Sequence, residues 1–358
     1  MPGALDRYLI RSFLGRAGLI VAGLTALLLL FDVLANADDV VAGSGRVIVP
    51  VLIYAGLRLP EVVVLVVPLS ALVATMAVLA HWVSTHQLVA LRAAGVSFYR
   101  IVAALLGGAV LLALAHFWFA DTVLPSTSSR LELWRAQDFQ GLPPRHVPRR
   151  APAWFAVGDA LVEVKESSLD GRELSGVTVV HRDDSGALRS YMRAKRAFYT
   201  GQVWLLEDVR RAPLRGQNAP DVRTFRLDLP VAPKRFAALG ERPGALRLGE
   251  IGRLIADNDL GGRPTHVYRA WYQRKLAQPV GVLVMVLLAA PLGLQHARRN
   301  RMMLASFGVM FTGFLFFVAE RLLVALGETG MLPVALAVWT PAALFSILAA
   351  WVLLHGEG

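Results

Sequence analysis

Six apolar runs decide what this chain can fold into, because each approaches or exceeds the roughly 20 residues that an α-helix needs to cross a bilayer. They are Ala17 to Leu34, Val47 to Val83, Ile101 to Phe119, Leu276 to Leu294, Leu304 to Leu326 and Pro333 to Leu354. No small-x-small cleavage site follows the first run, so it reads as a retained span rather than a leader. Asp32 interrupts it late, and Asn36 to Gly45, with Asp38 and Asp39, is expected as a short polar loop. The second run exceeds the length of one span. Pro60 and Pro68 are expected to kink it and to leave the part before Pro60 at the outer interface. His116, Trp118 and Asp121 mark the outer end of the third run, as an interfacial belt would.

The formal charge of +11 is almost wholly arginine, with four lysines in the chain. In a soluble protein this balance would suggest nucleic acid. Here the basic residues gather at the ends of the apolar runs. Arg7, Arg11 and Arg16 precede the first, Arg92 and Arg100 separate the second from the third, and Arg298, Arg299 and Arg301 separate the fourth from the fifth. Six spans put all three groups on one side, which identifies that side as cytoplasmic, with both termini there and no nucleic acid as partner. The absence of cysteine excludes disulfides, thiolate catalysis and cysteine metal sites.

From Pro125 to Arg263 no run reaches span length, and short alternating stretches appear instead. They are Trp154 to Val157, Leu161 to Val164, Val177 to His181, Lys195 to Tyr199, Val203 to Val209 and Val222 to Leu229, separated by turn signals such as Asp170-Gly171 and Asp184-Ser185-Gly186. Strands at this spacing predict a sandwich or jelly-roll-like sheet on the non-cytoplasmic side. The expected plan is therefore an α-helical polytopic membrane protein of six spans with an inserted all-β domain. Residues 1–124 hold three spans, 125–263 the β domain and 264–358 three more.

Catalytic signatures are missing. There is no Gly-Lys of a Walker A loop, no His-Glu-x-x-His and no Gly-x-Ser-x-Gly, and the eight histidines have no ligand spacing. No metal site or cofactor is expected, and nothing in the chain marks the nucleophile of an enzyme.

Ser84 to Ser97 is too polar to join either neighbouring run. Ser84 with Gln87 fits a capping box, Leu88, Val89 and Leu91 give an apolar side, and Gly95 is placed to end the helix. The stretch is either a tight turn or a short helix that lies on the membrane or docks into another protein. Charges within apolar sequence form the second set of candidates. They are Asp32, Arg58 with Glu61 across Pro60, and Glu320 with Arg321; Arg130 and Arg135 follow the third run. Each is a structural ion pair, an interfacial residue, or the polar lining of a cavity. Arg130 and Arg135 are either solvated or fork donors to phosphate.

Taken in order, several stretches resemble the LptF/LptG permeases of the lipopolysaccharide exporter, LptG more closely. They are Leu5-Asp6-Arg7-Tyr8, Pro60-Glu61, Pro68, Leu88 to Gly95, Trp134-Arg135-Ala136-Gln137, Leu174-Ser175-Gly176-Val177 and Trp204-Leu205-Leu206. Gly330-Met331-Leu332-Pro333 and Ala335 to Pro341 close the series. The resemblance implies a bacterial inner-membrane subunit with a periplasmic β domain, paired with an LptF-like paralogue around a lateral cavity. It implies a dimeric LptB-like cytoplasmic ATPase docked on Ser84, His86, Gln87, Leu88, Leu91, Arg92 and Gly95. A single-span LptC-like protein and a periplasmic bridge protein would complete the route for lipopolysaccharide. Two departures stand out. Gln87 occupies a position where the family commonly has glutamate, and Leu34 to Asp39 lacks the lysines that relatives often carry. Arg46, Arg58, Arg130 and Arg135 remain to meet lipid phosphate, with Asp32, Glu61, Glu320 and Arg321 as further polar lining. The alternatives are the LptF-type paralogue and a mechanical subunit of a lipoprotein-release transporter.

Overall fold

The computed structural model describes residues 3–45, 47–143, 149–157, 160–168, 172–182, 188–201, 203–213, 222–227, 233, 246–256, 265–291 and 299–355. The chain divides into two compact units, one of residues 1–142 and 269–358, the other of residues 143–268. The first division falls later than position 125, because the segment after the third apolar run is a helix that packs with the spans.

In the first unit, α1 (Ala4–Ser44), α2 (Ile48–Ser84), α3 (Gln87–Ala93), α4 (Phe98–Thr122) and α5 (Leu124–Ala136) precede the sheet. After α6 (Leu248–Ala256) of the second unit come α7 (Thr265–Ala289), α8 (Arg299–Glu328) and α9 (Val334–His355). Among the described residues α1, α2, α4, α8 and α9 are long and apolar enough to cross a membrane. The expected fourth span coincides with α7 from Leu276 onward, and residues 292–294 of that run lie outside the described residues.

One expectation about the first two runs changes. Asn36 to Ser44 is helix, not loop: Asn36 donates its side-chain amide to the Asp32 carbonyl (2.8 Å) and Ser44 its hydroxyl to the Val40 carbonyl (2.7 Å). Polar side chains bonded to their own helix leave it intact, and Val40 gives the extension a buried contact. The helix stops at Gly45, whose φ of 66° is a conformation glycine adopts without Cβ strain. Pro60 and Pro68 lie inside one continuous α2, and before Pro60 Tyr54 and Leu57 are buried while Ile48, Val49 and Leu52 are exposed.

A core of Leu9, Phe13, Leu72, Val78, Leu79, Trp82, Ile101, Leu105, Met285, Phe316 and Phe345 joins all the spanning helices except where they diverge. A second cluster, at the hairpin end of the bundle where α1 turns into α2, holds Val40, Tyr54, Leu57, Leu131, Trp134 and Phe139.

The second unit contains β1 (Arg149–Val157), β2 (Ala160–Ser167), β3 (Glu173–Arg182), β4 (Leu188–Tyr199), β5 (Trp204–Pro213) and β6 (Val222–Leu227). All six expected strands are present, and they form one antiparallel meander in sequential order. Buried positions step by three instead of two at one level of four strands: Val164 to Ser167, Leu174 to Val177, Ala194 to Ala197 and Leu206 to Val209. These positions face one another across the strands, so register is kept while the buried side changes. Gly176 and Asp208, with φ of 66° and 52°, sit at that level. Steps of this bulge-like kind bend strands.

Candidate functional site

The short helix α3 is built differently from its expected form. Ser84 ends α2, and its hydroxyl donates to the His81 carbonyl (2.9 Å), as does that of Thr85 (2.7 Å). No capping box forms, because Ser84 bonds backward into α2 and His86, with φ of 59°, is the residue before α3. The other end is as expected. Gly95 N–H donates to the Arg92 carbonyl (2.9 Å) and Val96 N–H to the Leu91 carbonyl (3.0 Å), the two bonds of a Schellman motif. Gly95 has φ of 84°.

Leu88 is 1 % exposed and belongs to the bundle core, and Leu91 packs partly buried against the same core. Arg92 lies over the Phe98 ring at 5.7 Å. These three side chains pack toward the protein, Leu88 fully and Leu91 and Arg92 in part. The face turned outward is His86, Val89 (52 % exposed), Ala90, Ala93 and Ala94, with Gln87 half-buried at its edge. Apart from His86 and Gln87 its side chains are small and apolar, and it holds no lysine, arginine or carboxylate.

At the hairpin end charges from the apolar runs converge, Asp32 and Arg58 partly buried and Glu61 exposed. Arg58 reaches Asp32 through both Nε and Nη2 (each 3.1 Å) and also bonds Glu61. Tyr54 donates its hydroxyl to Asp32 Oδ2 (2.8 Å), and Arg135 Nη2 donates to the Tyr54 oxygen (3.4 Å). Tyr54, Arg58 and Glu61 fall at i, i+4 and i+7 of α2, one stripe of the helix. The pairing of Arg58 with Glu61 is legible in the sequence; Asp32 and Tyr54 as partners are not, since the first needs the antiparallel hairpin. Arg58 is held by two carboxylates in this arrangement. Arg46 lies outside the described residues. Arg130 is half-buried, and its Nε has no hydrogen-bond partner among the described residues.

Beside this cluster the chain leaves α5 through Asp138 and Phe139, two consecutive non-glycine residues with φ of 50° and 57°. Phe139 packs edge-on against Trp134 (5.2 Å between centroids) and Tyr54 (6.0 Å), which holds the unfavourable backbone. Gly43 of α1 permits the approach, since a Cβ there would lie 2.0 Å from the Asp138 carbonyl oxygen. A cavity of 710 Å³ opens here, lined by Asp39, Ala42, Gly43, Arg135, Asp138, Phe139 and Gln140.

A further ion pair was not anticipated. Lys275 of α7 bonds Asp121 of α4 at 3.0 Å and is largely buried. Its neighbour Arg274 stacks over Trp271 at 5.0 Å and lies in the field of Glu320, Arg321 and Glu328 of α8. Glu320 is half-buried and Arg321 exposed. His116 also departs from expectation. It is buried rather than interfacial, and its Nε2 lies 3.1 Å from the Val64 carbonyl oxygen. Pro68 has no N–H to give that carbonyl, so the imidazole supplies the missing donor.

A family model for the lipopolysaccharide export system permease LptF/LptG matches residues 7–355. The chain belongs to the LptF/LptG family. It is 24 % identical over 362 residues to the lipopolysaccharide export system permease protein LptG of Haemophilus influenzae, covering 99 % of both chains. To the LptG protein of Escherichia coli K12 it is 22 % identical over 311 residues, 84 % of each chain. An LptF/LptG chain is a lipopolysaccharide export permease, a multi-pass inner-membrane protein with a β domain inserted between apolar helices, and the architecture above is of that kind.

Proposed function

We propose that this chain is the LptG-like half of a two-permease exporter, moved by a separate cytoplasmic ATPase dimer that docks on α3. The observation that carries the reading is the division of α3 into an anchored face and an open one. Leu88 and Leu91 fix the helix in the bundle, the Schellman end makes its exit rigid, and α2 and α4 leave from its two ends. A displacement of such a helix passes to both spans. Val89, Ala90, Ala93 and Ala94 leave a surface for an apolar socket of the ATPase, and Gln87 contributes an amide hydrogen bond at its edge.

The other parts follow from the same reading. An LptF-like paralogue would close the lateral cavity, and an LptC-like single-span protein and a bridge protein would receive the lipid on the periplasmic side. Lipopolysaccharide would pass over the apolar face of the sheet that includes Val177 and Val179. The test is co-expression of the chain with its paralogue and the ATPase. ATPase activity stimulated by lipopolysaccharide is expected only in the assembled complex, and Val89→Asp and Ala93→Asp are expected to lose the ATPase on purification while leaving the permease folded. Unchanged co-purification in both variants removes α3 as the docking site. Photocrosslinkers at Val177 and Val179 are expected to capture lipopolysaccharide during turnover; no adduct at these or neighbouring positions removes the sheet from the route.

A further inference from the structure

The cavity between α1 and the end of α5 sets one guanidinium against two carboxylates. Arg135, Asp39 and Asp138 line it, and among the described residues none of the three forms an ion pair. Arg135 gives only the 3.4 Å bond to Tyr54. Free charges of both signs around one opening match a ligand that also carries both. A phosphate alone would meet Arg135 at the expense of two carboxylates on the same walls.

Depth points to the kind of molecule. Hydrocarbon entered at Ala17, past Arg16, is crossed in roughly 20 residues of helix, which ends near Asn36. Asp39, Ala42 and Gly43 then stand at headgroup level on the far side. Three turns earlier on the same faces, Leu28 lies below Asp39 and Phe31 below Ala42, since residues eleven apart on a helix nearly eclipse. Both apolar side chains are exposed. One helix thus presents acyl-chain surface beneath an amphoteric pocket.

We infer that this cavity selects a lipid headgroup bearing a phosphate together with a primary ammonium, the phosphate on Arg135 and the ammonium between Asp39 and Asp138. The inference rests on the export reading and narrows its substrate. The same chemistry is carried by amine-substituted lipid A, with phosphoethanolamine on its phosphate, and by phosphatidylethanolamine of the bilayer.

The experiment uses the full chain in its assembled complex in nanodiscs, with native mass spectrometry of retained lipid and a photocrosslinker at Gln140. Four probes are compared: lipid A with and without phosphoethanolamine, and phosphatidylethanolamine against phosphatidylglycerol. The amine-bearing member of each pair is expected to be retained preferentially. Asp39→Asn and Asp138→Asn should each erode that preference by about two- to five-fold, the scale of an exposed ion pair, and Arg135→Gln should weaken both members. All three side chains are exposed, so the variants should keep the wild-type Tm. A preference for lipid A pairs only assigns the site to the exported substrate, and for phospholipid pairs only to a resident lipid; both uphold the chemistry. Equal retention within both pairs, or a preference for unsubstituted lipid A that disappears with chelator, overturns it. If lipid A still crosslinks to the sheet in that case, the export reading stands; if lipid A is captured nowhere on the complex, that reading falls as well.

Discussion

The two ends of the helical unit treat polarity in opposite ways. At the hairpin end, Asp32, Arg58, Glu61 and Tyr54 close on one another, and the strongest charges in the apolar sequence end as internal ties. At the α3 end, the outward face carries almost no charge, and its apolar anchors point inward. Charge in a low-dielectric setting is costly until it is paired, so it is consumed by structure first. A face built for a partner keeps small apolar side chains that cost little to expose. Charge inside the apolar runs is thus a poor guide to the α3 surface, and the plainest residues of the polar segment are the better one.

The sharpest way to break the comparison is Leu88→Asp. A carboxylate in the core of the bundle is expected to cost about 4 kcal/mol or more, seen as loss of a monodisperse peak and of Tm in detergent. If Leu88→Asp folded and lost only the ATPase, the anchored face would be the docking face after all. Next comes Arg58→Ala, which strands Asp32 beside Tyr54. It is expected to cost about 2 to 3 kcal/mol, and Asp32→Asn with Arg58→Gln should recover most of that, because both charges leave together. A double variant no better than the single one would make the pair something other than an internal tie. His116→Leu is expected to lower stability by about 1 to 2 kcal/mol through the Val64 carbonyl left without a donor. Combining it with Pro68→Ala, which restores a donor from α2 itself, should reduce that loss. The smallest effect belongs to Val89→Asp, within about 0.5 kcal/mol of wild type on an exposed position; its Tm measures whether the outward face is independent of the core.

Legibility differed by feature. The apolar runs and strand stretches were readable because span length and two-residue alternation are local properties. Arg58 with Glu61 was readable as an i, i+3 pair. The helix over Asn36 to Ser44 was not, since its residues look like loop until Val40 finds Trp134 and Phe139 to pack against. The capping box failed at Ser84 for a related reason. Two hydroxyls chose the His81 carbonyl, an option that exists only once α2 runs that far.

By itself the sequence determined a membrane protein with a β insert, the family resemblance, the strand order by position and the helix stop at Gly95, all consequences of composition and nearest neighbours. Tertiary structure alone decided which side of α3 faces outward, that Asp32 and Arg58 meet across the hairpin, that His116 repairs Pro68, and that Arg135 shares a cavity with Asp39 and Asp138. The physical reason is range. Helices and strands follow from groups a few residues apart, whereas the partner of a charge, or the face a leucine buries, depends on which distant segment packing brings beside it.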